Sequence, residues 1–169
     1  MSDMHDVSVR AAEETDLPAI LDIYNEQVLN STATFDIEPR SIEAQRVWAE
    51  QFQPPYALII AEDVAGIVAW GCLRPFGDKT GYRFTTENSL YVRANRRGSG
   101  LGRKLLAALI KTAGANGFHT IVARIAGDNP ASVALHESLG FEHVGRERQV
   151  GYKFELWLDV VVMQKMLGE

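Results

Sequence analysis

The segment Arg93-Ala94-Asn95-Arg96-Arg97-Gly98-Ser99-Gly100-Leu101-Gly102-Arg103 constrains this chain more than any other. It lies between a β-rich run over 87–92 and a stretch in which Leu101, Leu105, Leu106, Leu109, Ile110 and Ala113 recur at helical spacing until Asn116-Gly117 stops it. A strand that passes through a glycine turn into a helix leaves backbone N–H groups pointing outward at the positive end of the helix dipole. Such a turn fits a phosphate. Between residues 88 and 127 there is no Asp or Glu, whereas Arg93, Arg96, Arg97, Arg103, Lys104, Lys111 and Arg124 all fall there. The alternative is a tight turn that needs glycine for its own conformation, with solvated arginines beside it. In a chain of net charge -5, that concentration of positive charge favours an anion site. Spacing argues against two ligand classes. The Walker pattern Gly-x-x-x-x-Gly-Lys-Ser/Thr is not supplied, and the dinucleotide fingerprint would need glycine where Arg103 stands.

The rest of the chain reads as alternating strands and helices. A short strand is expected over 7–10, then a helix capped by Thr15-Asp16 with Pro18 in its first turn and Leu17, Ile20, Leu21, Tyr24 and Val28 on one face. A second helix starts near Ser41 and is stopped by Pro54-Pro55. Strands over 56–61 and 67–73 form a hairpin across Glu62 to Gly66, and 74–86 is a long loop. Beyond the strand over 87–92 and the glycine-led helix come a strand over 119–125, a helix over 130–139 capped by Gly140, a strand over 141–144 and a last strand within 152–163. The order β-α-α-β-β-β-α-β-α-β-β predicts an α/β or α+β fold, a mixed sheet with helices packed on it. A length of 169 residues suits one domain over 1–169, with 1–6 as a flexible N-terminus.

Charge and composition narrow the partners. A pI near 5.4 argues against a dedicated binder of nucleic acid or anionic membrane. Cys72 is the single cysteine, which excludes an intrachain disulfide and a cysteine-rich metal cluster. His5, His119, His136 and His143 lack metal-ligand spacing, so no metal is expected. The first residues lack the basic start and apolar core of a signal peptide, and apolar stretches such as 64–70 fall short of the ~18 residues a membrane helix requires. A soluble cytoplasmic protein is expected.

The motif Arg97-Gly98-Ser99-Gly100-Leu101-Gly102 resembles the Arg/Gln-x-x-Gly-x-Gly/Ala signature of the GCN5-related N-acetyltransferases, in which the turn binds the pyrophosphate of coenzyme A. A second motif, Asn129-Pro130-Ala131-Ser132 followed by Leu135-His136-Glu137-Ser138-Leu139-Gly140-Phe141, is similar to the later segment of that family. The likeness runs from Ile23-Tyr24-Asn25 through Glu87-Asn88-Ser89-Leu90-Tyr91-Val92 to Trp157-Leu158-Asp159, and is nearest to the phosphinothricin and methionine sulfoximine acetyltransferases. The resemblance implies a mixed, mainly antiparallel sheet with helices on both faces, acetyl-CoA as co-substrate, and a homodimer. It implies coenzyme contacts from the backbone of Leu90, Tyr91 and Val92, from Arg97, Gly98, Ser99, Gly100, Leu101, Gly102 and Arg103, and from Asn129 and Ser132. It places the acceptor at Arg74-Pro75-Phe76, at Glu87-Asn88-Ser89 and at Lys153. The sequence departs from the pattern in a longer loop between Phe76 and Tyr82-Arg83, and in Glu155-Leu156 where Gly-Arg is usual before Trp157.

Acetyl transfer needs a neutral amine, donors for the thioester oxygen, and a proton for the departing thiolate. Glu87, directly or through a water, is the candidate base; a strand-end glutamate can equally be a paired carboxylate. His136 stands where many members of the family carry a proton-donating tyrosine; a lone histidine on a short helix can equally be a packed residue. Arg74 suits an acceptor carboxylate, and Phe76 and Tyr82 either wall the pocket or belong to the core. Cys72 reads as a small buried residue. The expected activity is transfer of an acetyl group from acetyl-CoA to the α-amine of a small L-amino acid or analogue. The alternatives are another amine (polyamine, aminoglycoside or protein N-terminus), a non-catalytic acyl-CoA-binding module, and a small nucleotide-binding protein.

Overall fold

Residues 7–168 are described by a computed structural model. The chain runs β1 (Ser8–Ala11), α1 (Leu17–Asn30), α2 (Ile42–Ala49), β2 (Ala57–Asp63), β3 (Gly66–Pro75), β4 (Thr85–Val92), α3 (Leu101–Ala115), β5 (Thr120–Ala126), α4 (Pro130–Ser138), β6 (Glu142–Lys153) and β7 (Leu156–Met166). That order is the expected one; the flexible N-terminus expected over 1–6 lies outside the described residues.

Several local expectations change for physical reasons. Asp16 does not cap α1. A single 3-10 turn, Glu14–Asp16, precedes the helix, and the Asp16 carboxylate accepts from the Glu13 N–H at 2.8 Å and from Arg10 at 2.7 Å. Ser41 does cap α2, accepting from the Ala44 N–H at 3.2 Å. The β2–β3 turn tightens to Val64-Ala65 because Asp63 pairs with Gly66. β6 runs far beyond the expected 141–144. It is an edge strand, exposed along most of its length, so the two-residue alternation of a half-buried strand is missing from its sequence.

The seven strands order as β1-β2-β3-β4-β5-β7-β6, and β4–β5 is the one parallel pair among the described residues. Both faces are covered. Ile20, Ile23, Tyr24 and Val28 of α1 bury against Leu58, Ile60, Trp70 and Cys72 on one face. Leu101, Leu105, Leu106 and Leu109 of α3 bury against Ile59, Leu73, Ile121 and Met163 on the other. At about 25 cal/mol per Å² of apolar surface removed from water, these faces hold the helices to the sheet. The sheet is therefore mixed and mainly antiparallel with helices on both sides.

The pairing of β4 with β5 positions the site. It runs from Thr85↔Thr120 to Asn88↔Ala123 and stops, although β4 continues to Val92 and β5 to Ala126. β4 stays bonded to β3 through Val92, and β5 stays bonded to β7 through Ala126. The sheet opens between them into a wedge.

Candidate active site

The glycine turn sits at the mouth of the wedge. Gly98 and Gly100 adopt left-handed φ values of 73° and 83°. Gly100 is the N-cap of α3 and offers no side chain to the helix, whose first backbone bond runs from the Lys104 N–H to the Gly100 carbonyl at 3.1 Å. The N–H groups of Leu101, Gly102 and Arg103 therefore lack intrahelical acceptors and remain for an external anion.

A cleft of about 450 Å³ extends from this turn, lined by Leu90, Tyr91 and Val92 of β4, by Arg97, Gly98, Gly100, Leu101 and Gly102 of the turn, and by Asn129 and Ser132 at the start of α4. The Asn129 side-chain oxygen caps α4 by accepting from the Ser132 N–H at 3.1 Å, which leaves its amide NH2 as the group able to donate to a ligand. Two expected contacts are absent from this lining. Ser99 turns its hydroxyl back to the Arg96 carbonyl at 2.5 Å, and Arg103 reaches Ser138 at 2.7 Å. The first loop supplies what the sequence did not suggest. Gln27, Ser31, Thr32 and Ala33 line the cleft, and the Gln27 side-chain oxygen Oε1 accepts from Arg97 at 2.8 Å. A polar Gln27 amid the buried stripe of α1 was the available signal.

The donor set fits a long anionic ligand with an amide-rich arm. It offers backbone donors and arginine at one end, an apolar wedge along β4, and a small polar cavity of about 60 Å³ beyond it, lined among others by Asn88, Ser89, Arg124, Ser132 and His136. A wider cleft, about 1030 Å³, lies elsewhere, beside β1, the start of β2 and the C-terminal half of α3. Arg10 on its lining pairs with both Asp16 and Glu62.

Alternation along β4 separates the polar residues at the wedge. Glu87 and Asn88 point to opposite faces. Glu87 meets Arg74, its partner across β3–β4, in an ion pair through Arg74 Nη2 and Glu87 Oε1. The Glu87 side chain is 9% exposed and that of Arg74 43%; Arg74 Nε is buried with no hydrogen-bond partner among the described residues. Burial works against the arginine charge, and the facing Glu87 carboxylate more than restores it. Phe76 and Tyr82 meet edge to face at 5.0 Å, with Tyr82 partly exposed on the loop.

Asn88 lies against α4. Its Nδ2 is 3.1 Å from His136 Nε2, while His136 Nδ1 is 2.7 Å from the Ser132 carbonyl oxygen. His136 is buried, and burial holds its pKa below the ordinary histidine value. Lys153 is also buried, donates to the Thr34 carbonyl at 2.9 Å, and has its pKa lowered by burial. Thr34 belongs to the loop after α1, where the Tyr24 hydroxyl meets Thr34 Oγ1 at 2.9 Å and Asp36 at 2.5 Å. The same loop is seated by Phe35, which fills the space a side chain at Gly151 would need. Cys72 is buried, and burial pushes its thiol up to about 12, which leaves it no thiolate near neutral pH. Among the described residues, no group of three His, Cys, Asp or Glu side chains comes together as a metal site, and no helix is long and apolar enough to cross a membrane.

A strand-turn-helix anion site feeding a wedge between two splayed parallel strands suits an acyltransferase that draws on an acyl-coenzyme A. The family model described as "acetyltransferase (GNAT) domain" matches residues 9–162, so the chain belongs to the GNAT family of acetyltransferases. It is 44% identical over 162 residues to the L-methionine sulfoximine/L-methionine sulfone acetyltransferase of Pseudomonas aeruginosa, covering 93% of this chain and 92% of that one. A phosphinothricin acetyltransferase of Sinorhizobium meliloti, solved in complex with acetyl-CoA, superposes with a TM-score of 0.93 at 36% identity, covering 97% of this chain and 90% of that one. A ribosomal-protein-alanine N-acetyltransferase of Brucella melitensis superposes with a TM-score of 0.91 at 41% identity, covering 95% and 99%.

Proposed function

We propose that this enzyme acetylates the α-amine of a small L-amino acid or amino-acid analogue of the methionine sulfoximine or phosphinothricin type. The observation that carries this reading is the facing pair of Arg74 and Glu87. A free amino acid carries a carboxylate and an ammonium two bonds apart. A guanidinium and a carboxylate held side by side on one face of two strands complement both. The exposed part of the Arg74 guanidinium is the donor for the acceptor carboxylate, and Glu87 is placed to take the proton that an ammonium must lose before it attacks. The names of the Pseudomonas and Sinorhizobium relatives support the same acceptor class.

Acetyl-CoA supplies the acyl group already activated as a thioester. The residues of this chain bind and orient it. The first-turn N–H groups of α3 and Arg97 hold the pyrophosphate, with Gly98, Ser99, Gly100, Gly102 and Arg103 shaping that turn. Asn129 and Ser132 flank the arm, and the backbone N–H groups of Leu90 and Val92, which face away from β3, polarise the carbonyl where β4 parts from β5, while the N–H of Tyr91 between them is directed at Trp70 of β3. Pro75, Phe76 and Ser89 border the acceptor side and Lys153 supports it through the Thr34 loop, whereas Asn88, expected there, faces the other way, toward His136. The exposed aromatic hairpin of Tyr152, Phe154, Leu156 and Trp157 is read as the face a second copy covers in a homodimer, and the protein as cytoplasmic.

A second reading has one observation in its favour, the likeness to the Brucella enzyme named for ribosomal-protein alanine. A peptide N-terminus has no free α-carboxylate, so it would leave the exposed part of the Arg74 guanidinium without its complement. The test is thiol release from acetyl-CoA with L-methionine sulfoximine, L-phosphinothricin, an alanyl peptide, spermidine or no acceptor. Turnover of an amino-acid analogue is expected, with a drop of roughly a hundredfold or more in kcat for Glu87→Gln at unchanged coenzyme affinity. Turnover confined to the peptide or to spermidine would overturn the assignment.

A further inference from the structure

We infer that the polar cavity behind Asn88 is a water site serving the sulfur end of the coenzyme, and that His136 is a positioning residue that aims Asn88 into it. The inference rests on the acetyl-CoA reading of the wedge but not on the identity of the acceptor.

The hydrogen bonds determine one another. The Ser132 carbonyl oxygen can only accept, so the His136 nitrogen facing it, Nδ1, carries the ring proton. In the neutral ring, Nε2 is then bare and can only accept. The group facing it on Asn88 must be the NH2, and the Asn88 carbonyl oxygen is turned the other way. That oxygen is buried and has no partner among the described residues, in a residue only 5% exposed. It borders the cavity of about 60 Å³, which is large enough for at least one water. The cavity begins where β4–β5 pairing ends, so backbone groups of Leu90 on one strand and Arg124 on the other, which face the opening, provide further polar partners.

The cavity is continuous with the coenzyme cleft, sharing Leu90, Tyr91, Asn129 and Ser132 with it. A water that donates one hydrogen to Asn88 Oδ1 has its second hydrogen free to point into the cleft. There it stabilises negative charge as it gathers on the departing sulfur, in a site that cannot reorganise freely. His136 has no proton to offer a sulfur, because Nδ1–H is committed to Ser132 and Nε2 to Asn88. Protonation of the ring is disfavoured by burial; the Arg124 side chain turns away to Glu147, and Glu137, on the same helix, turns outward to His143.

Histidine-selective ¹⁵N NMR on the wild-type protein tests the tautomer without turnover. His136 is expected to keep a protonated Nδ1 and a bare Nε2 from about pH 6 to 9, the range over which an ordinary histidine loses its charge. A crystal structure with coenzyme A should show a water within hydrogen-bonding distance of Asn88 Oδ1. His136→Leu should lower kcat roughly tenfold or more with little change in coenzyme affinity. His136→Gln, which keeps an acceptor near the Nε2 position but holds no titratable proton, should recover most of that loss with the wild-type pH profile. A protonated Nε2, a dry cavity, or a failure of His136→Gln to rescue overturns the inference. Should no acceptor be turned over while the NMR and crystallographic results hold, the acceptor reading fails and this one stands.

Discussion

Arg74 on β3 and Glu87 on β4 are direct cross-strand partners, and each is the ionic partner of the other. Their burial is unequal, with Glu87 at 9% side-chain exposure and Arg74 at 43%. The pair is therefore both a recognition element and a structural dependency.

Removing the two partners should have unequal effects on stability. Arg74→Ala leaves a nearly buried carboxylate with no counter-charge, whereas Glu87→Gln leaves a half-exposed guanidinium that water can solvate. Losing a hydrogen bond to a buried charged group costs about 1.5–3 kcal/mol. Urea unfolding of both variants is expected to show the larger loss in Arg74→Ala. Equal losses would mean that Glu87 is solvated in solution.

Gly100→Ala separates backbone strain from ligand binding. Gly100 and Gly117 have nearly the same left-handed φ, 83° and 82°, one at the start of α3 and one after its end. A side chain in that region costs about 1–2 kcal/mol at either position. Calorimetric titration should show acetyl-CoA affinity lowered about tenfold or more by Gly100→Ala alone, because only that turn presents N–H groups to the pyrophosphate.

Acid should destabilise the fold through His136. Burial lowers its pKa in the folded state below the unfolded value of about 6.5. Between the two values the unfolded chain binds a proton that the folded chain refuses. Stability is thus full above about pH 6.5 and is lost as pH falls toward the depressed folded value, by at most about 1.4 kcal/mol per pH unit. Asp16 and Asp159, whose pKa values are lowered by their hydrogen bonds to Arg10 and the Gln149 N–H, add losses at lower pH that are common to variants at 136. Urea midpoints measured across this range should fall less steeply in His136→Gln than in wild type.

The β6–β7 turn carries relievable strain. Phe154 and Glu155 sit between the last strand pair, Lys153↔Leu156, with φ values of 51° and 60°. Two positive φ values in a two-residue hairpin favour Asn-Gly, so glycine suits the second position, where Glu155 stands. Glu155→Gly is expected to stabilise by about 0.5–1 kcal/mol after the greater freedom of the unfolded glycine chain is deducted. A thermal scan should show Tm a few degrees higher, and Glu155→Ala, which keeps Cβ, should show no gain.

Much of the architecture was legible in the residues. The glycine turn, the helix that follows it and the strand order depend on left-handed φ preferences, capping and periodicity, which a few consecutive residues encode. β6 was largely missed because an exposed edge strand needs no apolar alternation. Glu87, Arg74 and His136 were recognisable as chemical groups, and their partners were not.

What the sequence determined by itself was therefore local: which segments are strand or helix, and where an anion can meet a helix start. Tertiary structure decided the rest. It set Arg74 opposite Glu87, brought His136 to Asn88 across 48 residues and Gln27 to Arg97 across 70, and ended β4–β5 pairing at Asn88. Those outcomes depend on strand register and on which faces pack together. The same side chains are compatible with many registers in the unfolded chain, and only the packed sheet selects the one that sets these partners together.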